Sequence, residues 1–71
     1  MKTVNRVRNN QDLQLAQHYK TMHPVYNKEN VSISEVWRDE SGTLCVRYVT
    51  DKGREIGWFH YQYENGQLTW W

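Results

Sequence analysis

The chain has 71 residues, of which 38% are hydrophobic and 14% are aromatic, and its formal net charge at pH 7 is +1. This length allows one small domain, and the low net charge excludes a surface generally coated with cations for nucleic acid. No apolar run approaches the roughly 20 residues of a membrane span. We therefore expect residues 1–71 to form a single cytoplasmic domain, without membrane attachment, in which a few of the ten Trp, Tyr and Phe rings replace aliphatic side chains in the core.

The charge is unevenly distributed along the chain. Residues 1–28 sum to +4, whereas residues 29–71 sum to −3. Most of the excess positive charge lies in an N-terminal arm, residues 1–9, through Lys2, Arg6 and Arg8. Such an arm is usually a solvated surface, and the functional alternative is contact with an anionic partner.

The first predicted element is an amphipathic helix over residues 10–22. Asn9 is a suitable N-cap, and Pro24 disfavours helical geometry at the residue before it, which ends the helix near Met22. The apolar stripe of this helix recurs at helical spacing and consists of Leu15, Ala16, Tyr19 and Met22.

After the helix the hydrophobic period changes to two, which predicts strands over residues 31–71. Turns are expected at residues 39–42 and 51–54, and Asn65-Gly66 is a strong type I′ hairpin signal. The predicted fold class is α+β, with one N-terminal amphipathic helix packed on a four-stranded antiparallel β-meander. The side chains expected to face the helix are Val31, Ile33, Leu44, Val46, Ile56, Trp58, Leu68 and Trp70.

The third strand carries rings on both faces, so its orientation decides which rings are exposed. If Ile56 and Trp58 face the helix, strict alternation places Phe59, Tyr61 and Tyr63 on the opposite face. We expect this exposed aromatic face, joined by Arg47 and Trp71, to be the interaction surface. Two alternatives would reduce the patch. In the first, the Phe59, Tyr61 and Tyr63 set faces the helix and Trp58 faces outward. In the second, the N-terminal arm, with Val4 and Val7, folds over the outer face.

An aromatic sheet face suits two kinds of partner. Interface cores are enriched in Trp, Tyr and Arg, so we expect the partner to be another protein or a second copy of this chain. The last strand, which lacks a charged residue, would then be a candidate edge for strand pairing. The alternative is single-stranded nucleic acid, bound by the same rings together with Lys2, Arg6 and Arg8. A purely structural subunit of a larger assembly is a third alternative.

Catalysis has little support, and we expect no catalytic residue, no cofactor and no metal site. Cys45 is the single cysteine, which excludes an intrachain disulfide, and it is more typical of a core filler than of a nucleophile paired with His60. His18 and His23 lack the i, i+4 spacing of a helical metal pair. Small domains without motifs are common among accessory and inhibitor proteins, including those of mobile elements. Only the size of this chain and its lack of motifs associate it with such proteins, and no individual residue does.

Overall fold

The computed structural model describes residues 10–71 and contains one helix followed by four strands. Helix α1 spans Asn10–Met22, and the strands are β1 (Val31–Arg38), β2 (Leu44–Thr50), β3 (Glu55–Glu64) and β4 (Gln67–Trp70). The strands form one antiparallel sheet in the order β1-β2-β3-β4. The predicted fold class and the predicted bounds of the helix are confirmed. No helix within residues 10–71 has the length and apolarity that a bilayer span requires.

Helix α1 covers one face of the sheet, which we call the inner face. Ala16 and Tyr19 are buried against it, with Leu13 and Leu15 packed at the margin. An ion pair between Arg38 Nη2 and Asp12 Oδ1, 2.8 Å apart, joins the end of β1 to the first turn of α1. The buried strand residues of this core are Val31, Val36, Leu44, Val46, Tyr48 and Tyr61.

Two β-bulges change the face on which the large rings lie. In β1 the register shifts between Ile33 and Glu35. In β3 the extra residue is Ile56, which has no partner because it lies between the two residues that pair with Tyr48 and Val49. Each bulge adds one residue, so side chains beyond it lie on the face opposite to the one that strict alternation assigns. The prediction that Trp58 faces the helix is therefore wrong. The other seven predicted inner residues are buried in the core or packed against it.

Gly57 makes the bulge in β3 geometrically feasible. Its φ is +153°, and a Cβ atom at this position would lie 2.9 Å from the hydroxyl oxygen of Tyr26. That hydroxyl donates a hydrogen bond to the Ile56 carbonyl oxygen, 3.0 Å away. Glycine fits because the backbone is in a region that L side chains avoid and because a ring occupies the space of a side chain.

His23, immediately after α1, is the unexpected core residue. It is 2% exposed and contacts the rings of Tyr26, Phe59 and Trp70, with centroid distances of 4.6–5.0 Å. Its Nδ1 accepts hydrogen bonds from the backbone N–H groups of Val25 and Tyr26, at 3.2 and 3.3 Å. Met22, predicted to complete the apolar stripe, is exposed instead. The chain leaves helical geometry at His23, and this turns the imidazole rather than the Met22 side chain towards the sheet.

The three rings predicted for the exposed face lie on the inner face. Tyr61 is 2% exposed, and its hydroxyl is 2.7 Å from that of Tyr48. Phe59 packs against the core, and Tyr63 stacks beside Tyr19 of α1 with a centroid distance of 6.0 Å while remaining 47% exposed. The predicted placement was wrong for all three because it assumed unbroken alternation through Gly57. Outward placement of Trp58, one of the two alternatives, is what the structure shows.

We expect Tyr61→Ala to lower the free energy of unfolding by about 3–5 kcal/mol, as for other buried aromatic residues. Tyr63→Ala, which truncates a half-exposed ring of the same strand and face, is the matched control and should cost about 1 kcal/mol or less. Urea unfolding followed by tryptophan fluorescence measures both. Equal, small effects would contradict the burial of Tyr61.

The burial of His23 predicts that stability depends on pH. Burial lowers the pKa of His23 below its usual value of 6.5 because charging the ring would leave a cation among apolar rings. The free energy of unfolding therefore has its full value, as far as His23 is concerned, above pH 6.5. It decreases as the pH falls from 6.5 through the folded-state pKa, by at most about 1.4 kcal/mol per pH unit. The rings packed against His23 are those of Tyr26, Phe59, Tyr61 and Trp70, and burial among them is the cause of the lowered pKa.

Urea midpoints measured across this range check the effect, with His18→Gln, at an exposed position of α1, as control. His23→Gln should be less stable at every pH, and its stability should no longer decrease between pH 6.5 and lower pH. His18→Gln should keep the pH dependence of the wild type. An unchanged slope in His23→Gln would overturn the assignment.

Candidate aromatic interface

The face of the sheet opposite α1, which we call the outer face, carries a second cluster of rings. One rung crosses the whole sheet: Trp37 of β1 pairs with Cys45 of β2, Cys45 pairs with His60 of β3, and His60 exchanges backbone hydrogen bonds with Trp71. Residues of one rung point to the same side of a sheet. This rung therefore gives the outer face two tryptophans and an imidazole.

Ring contacts connect this rung with the next one. Trp58 lies diagonally between Trp37 and His60, with centroid distances of 5.4 and 5.1 Å. His60 is parallel to Trp71, with an interplanar angle of 2° and a centroid distance of 5.1 Å. Trp58 and Trp71 are 44% and 57% exposed. The result is a continuous row of rings, Trp37–Trp58–His60–Trp71, in which Trp58 and Trp71 are exposed and Trp37 and His60 are partly buried.

The charges around this row are mainly acidic. Arg47 Nη1 lies 3.1 Å from Glu35 Oε1, and its Nε lies 3.5 Å from Glu55 Oε2 without the alignment of a hydrogen bond. The guanidinium also lies over the ring of Trp37, 5.4 Å from its centroid, which is cation–π geometry. Asp39, after β1, approaches His60 Nε2 at 3.7 Å. The guanidinium of Arg47 is thus held by two carboxylates and a ring.

The structure separates the residues that the sequence predicts for the interface. Arg47 and Trp71 lie on the outer face, whereas Phe59, Tyr61 and Tyr63 lie on the inner face. Lys2, Arg6 and Arg8, like Asn9, Val4 and Val7, lie outside the described residues. The predicted interface set lacked Trp37, Trp58 and His60, and of these only Trp58 was placed outward, in one of the two alternatives. The available signals were Val36, which interrupts the alternation of β1, and Gly57, a glycine within a strand.

Of the histidine and cysteine pairs that the sequence analysis considered, the structure separates His18 from His23 and brings Cys45 close to His60. His18 is exposed on α1 and His23 is buried in the core, whereas His60 lies near Cys45 and Asp39 on the outer face. Burial raises the pKa of the Cys45 thiol, which is the opposite of the activation that a nucleophilic cysteine needs.

Comparison with protein-family models, with curated proteins and with solved structures gave no match to this chain.

Proposed function

We propose that the chain is a small non-enzymatic protein-binding module and that the outer face of its sheet is the contact surface. The observation that carries this proposal is the partly exposed row Trp37–Trp58–His60–Trp71 on the face that α1 leaves uncovered. Exposed aromatic patches on small domains mark interaction surfaces, and Trp, Tyr and Arg are the residues that most often dominate binding energy.

The charges of the outer face favour a protein over nucleic acid. Three carboxylates, from Glu35, Asp39 and Glu55, surround the row, and its guanidinium, Arg47, is paired with two of them. Single-stranded nucleic acid needs cations beside the stacking rings to hold its phosphates, and carboxylates in those positions repel them. The alternative function thus depends on Lys2, Arg6 and Arg8, outside the described residues.

The same charges indicate what kind of protein surface would fit. Acidic groups bordering tryptophans complement lysine or arginine side chains that surround an apolar centre. A cationic side chain over Trp58 or Trp71 would add a cation–π contact. The partner is accordingly a protein segment that carries apolar and basic residues together.

A second copy of this chain is the other partner that the fold admits. His60 and Trp71 form a hydrogen-bonded pair, so by alternation the backbone groups of Leu68 and Trp70 point to the open side of β4. No residue of Gln67–Trp70 is charged, so side-chain charge does not oppose strand pairing at this edge. Pairing of two β4 edges would make one continuous outer face.

Selection from a random peptide library, with the folded full-length chain as bait, tests the proposal. We expect enriched peptides to combine arginine or lysine with apolar residues and to lose at least about tenfold in affinity for Trp58→Ala/Trp71→Ala. The matched control is Met22→Ala/Val25→Ala, which removes two exposed apolar side chains of the helix and the following turn. That control should bind like the wild type, and both double variants should retain cooperative unfolding.

Two further measurements distinguish the alternatives. Sedimentation of the wild type over increasing concentration reports self-association. The tryptophan variant shows whether that association uses the outer face or, if it is unaffected, the β4 edge. Titration of a single-stranded oligonucleotide, followed by tryptophan fluorescence at low and moderate salt, reports nucleic-acid binding. The proposal fails if the tryptophan variant retains every selected peptide, or if only the oligonucleotide binds and its affinity falls steeply with salt.

A further inference from the structure

Three potential metal ligands converge at the end of the outer face where β1 turns into β2. They are Asp39 after β1, Cys45 on β2 and His60 on β3, and their donor atoms all lie within 4.8 Å of one another. His60 Nε2 and Asp39 Oδ2 lie 3.7 Å apart. Residues from three separate segments of the sheet thus bring a carboxylate, a thiol and an imidazole to one point.

The carboxylate of Asp39 is held in place by its own turn. Asp39 Oδ1 accepts hydrogen bonds from the N–H and the hydroxyl of Ser41, at 2.9 and 2.8 Å, and from the N–H of Thr43 at 2.9 Å. These three bonds fix the position and orientation of the carboxylate. They engage one oxygen, and the other, Oδ2, is the atom that approaches His60.

The imidazole of His60 is oriented from its other side. Its Nδ1 lies 3.4 Å from the carbonyl oxygen of Trp71, and its ring stacks on the Trp71 indole. A proton on Nδ1, donated towards that carbonyl, leaves the lone pair of Nε2 facing Asp39. A backbone carbonyl on the far nitrogen is the arrangement that commonly fixes the tautomer of a metal-ligating histidine.

From this convergence we propose that Asp39, Cys45 and His60 bind one Zn²⁺ ion, with a water molecule as the fourth ligand. Tetrahedral Zn²⁺ takes sulfur, nitrogen and oxygen donors whose separations are about 3.4–3.6 Å for ordinary bond lengths. The His60–Asp39 distance of 3.7 Å approximates this value, and all three donor atoms already lie within 4.8 Å of one another. Mg²⁺ and Ca²⁺ are disfavoured because both prefer sets of oxygen ligands.

Two features distinguish this site from a catalytic triad. Cys45 is buried and its thiol is not activated, and His60 hydrogen-bonds a backbone carbonyl through the nitrogen that a triad would direct to a carboxylate. A bound ion would deprotonate the thiol and join β1, β2 and β3. It would also fix His60, on which Trp71 stacks. The site shares His60 with the aromatic row and borders the proposed peptide-binding surface. Metal binding is measured without any peptide, so its outcome does not depend on the proposed function.

Co²⁺ titration of the reduced full-length chain is the primary test. We expect one ion per chain, a thiolate-to-cobalt charge-transfer band in the near ultraviolet, visible bands typical of tetrahedral cobalt, and displacement of the cobalt by Zn²⁺. Zn²⁺ should also raise the thermal midpoint, because binding to the folded chain stabilises it.

Variants assign the ligands. Cys45→Ser should abolish the charge-transfer band, and His60→Gln and Asp39→Asn should each weaken Zn²⁺ binding at least about 100-fold. Ser41→Ala, which removes one hydrogen bond to Asp39, should weaken it about tenfold. His18→Gln and Glu40→Gln, both at exposed positions, are the controls and should bind like the wild type. Circular dichroism establishes that each variant is folded.

The proposal is overturned if the folded wild type shows no charge-transfer band, or if His60→Gln retains the band while His18→Gln loses it. Because Cys45 is buried, Cys45→Ser could unfold. The surface variants His60→Gln and Asp39→Asn then decide the result on their own.

Discussion

The arrangement of both faces depends on the bulge at Ile56 and Gly57, where the Tyr26 ring occupies the space of a missing side chain. Beyond this point the alternation of β3 is reversed, so Phe59 and Tyr61 enter the core while Trp58 and His60 turn outward. Any side chain at residue 57 would meet the Tyr26 hydroxyl at 2.9 Å and require an unfavourable backbone conformation. One glycine and one ring thereby determine which aromatic side chains stabilise the fold and which are available for binding.

The two faces use their aromatic residues for different purposes. On the inner face the rings surround His23, and the paired hydroxyls of Tyr48 and Tyr61 satisfy each other inside the core. On the outer face the rings form a row with partly paired charges at its margin and remain partly exposed. Within residues 10–71 the one helix covers a single sheet face, and the second aromatic face is the surface that we propose for a partner. The proposed metal site lies at one end of that face and acts on it through the stacking of His60 on Trp71.

The sequence allowed an aromatic outer face to be predicted, but not which rings belong to it. Sequence reasoning identified an aromatic sheet face with Arg47 and Trp71 in it, and the structure places both residues there. It assigned the rings of β3 to the wrong sides, because a period of two carries no information about an inserted residue. The blurred alternation at Val36 and the glycine at position 57 both indicated irregularity, but neither specified its direction. The meeting of Asp39, Cys45 and His60 left no signal in sequence spacing, since strand pairing alone brings these residues together.

The sequence by itself determined the elements and their order. Three local signals defined these elements, and each acts through the backbone of neighbouring residues. They are the helical spacing that ends at Pro24, the alternation after residue 30, and the Asn65-Gly66 turn, whose φ angles are +53° and +77°. Tertiary structure decided which rings are buried, because register depends on the contact between Tyr26 and Gly57, residues on different elements. It also decided that His23, rather than Met22, completes the core under the helix, because the direction of the chain after α1 is set by packing against β3 and β4. Local preferences define the strands and the helix, and only long-range packing defines the faces they present.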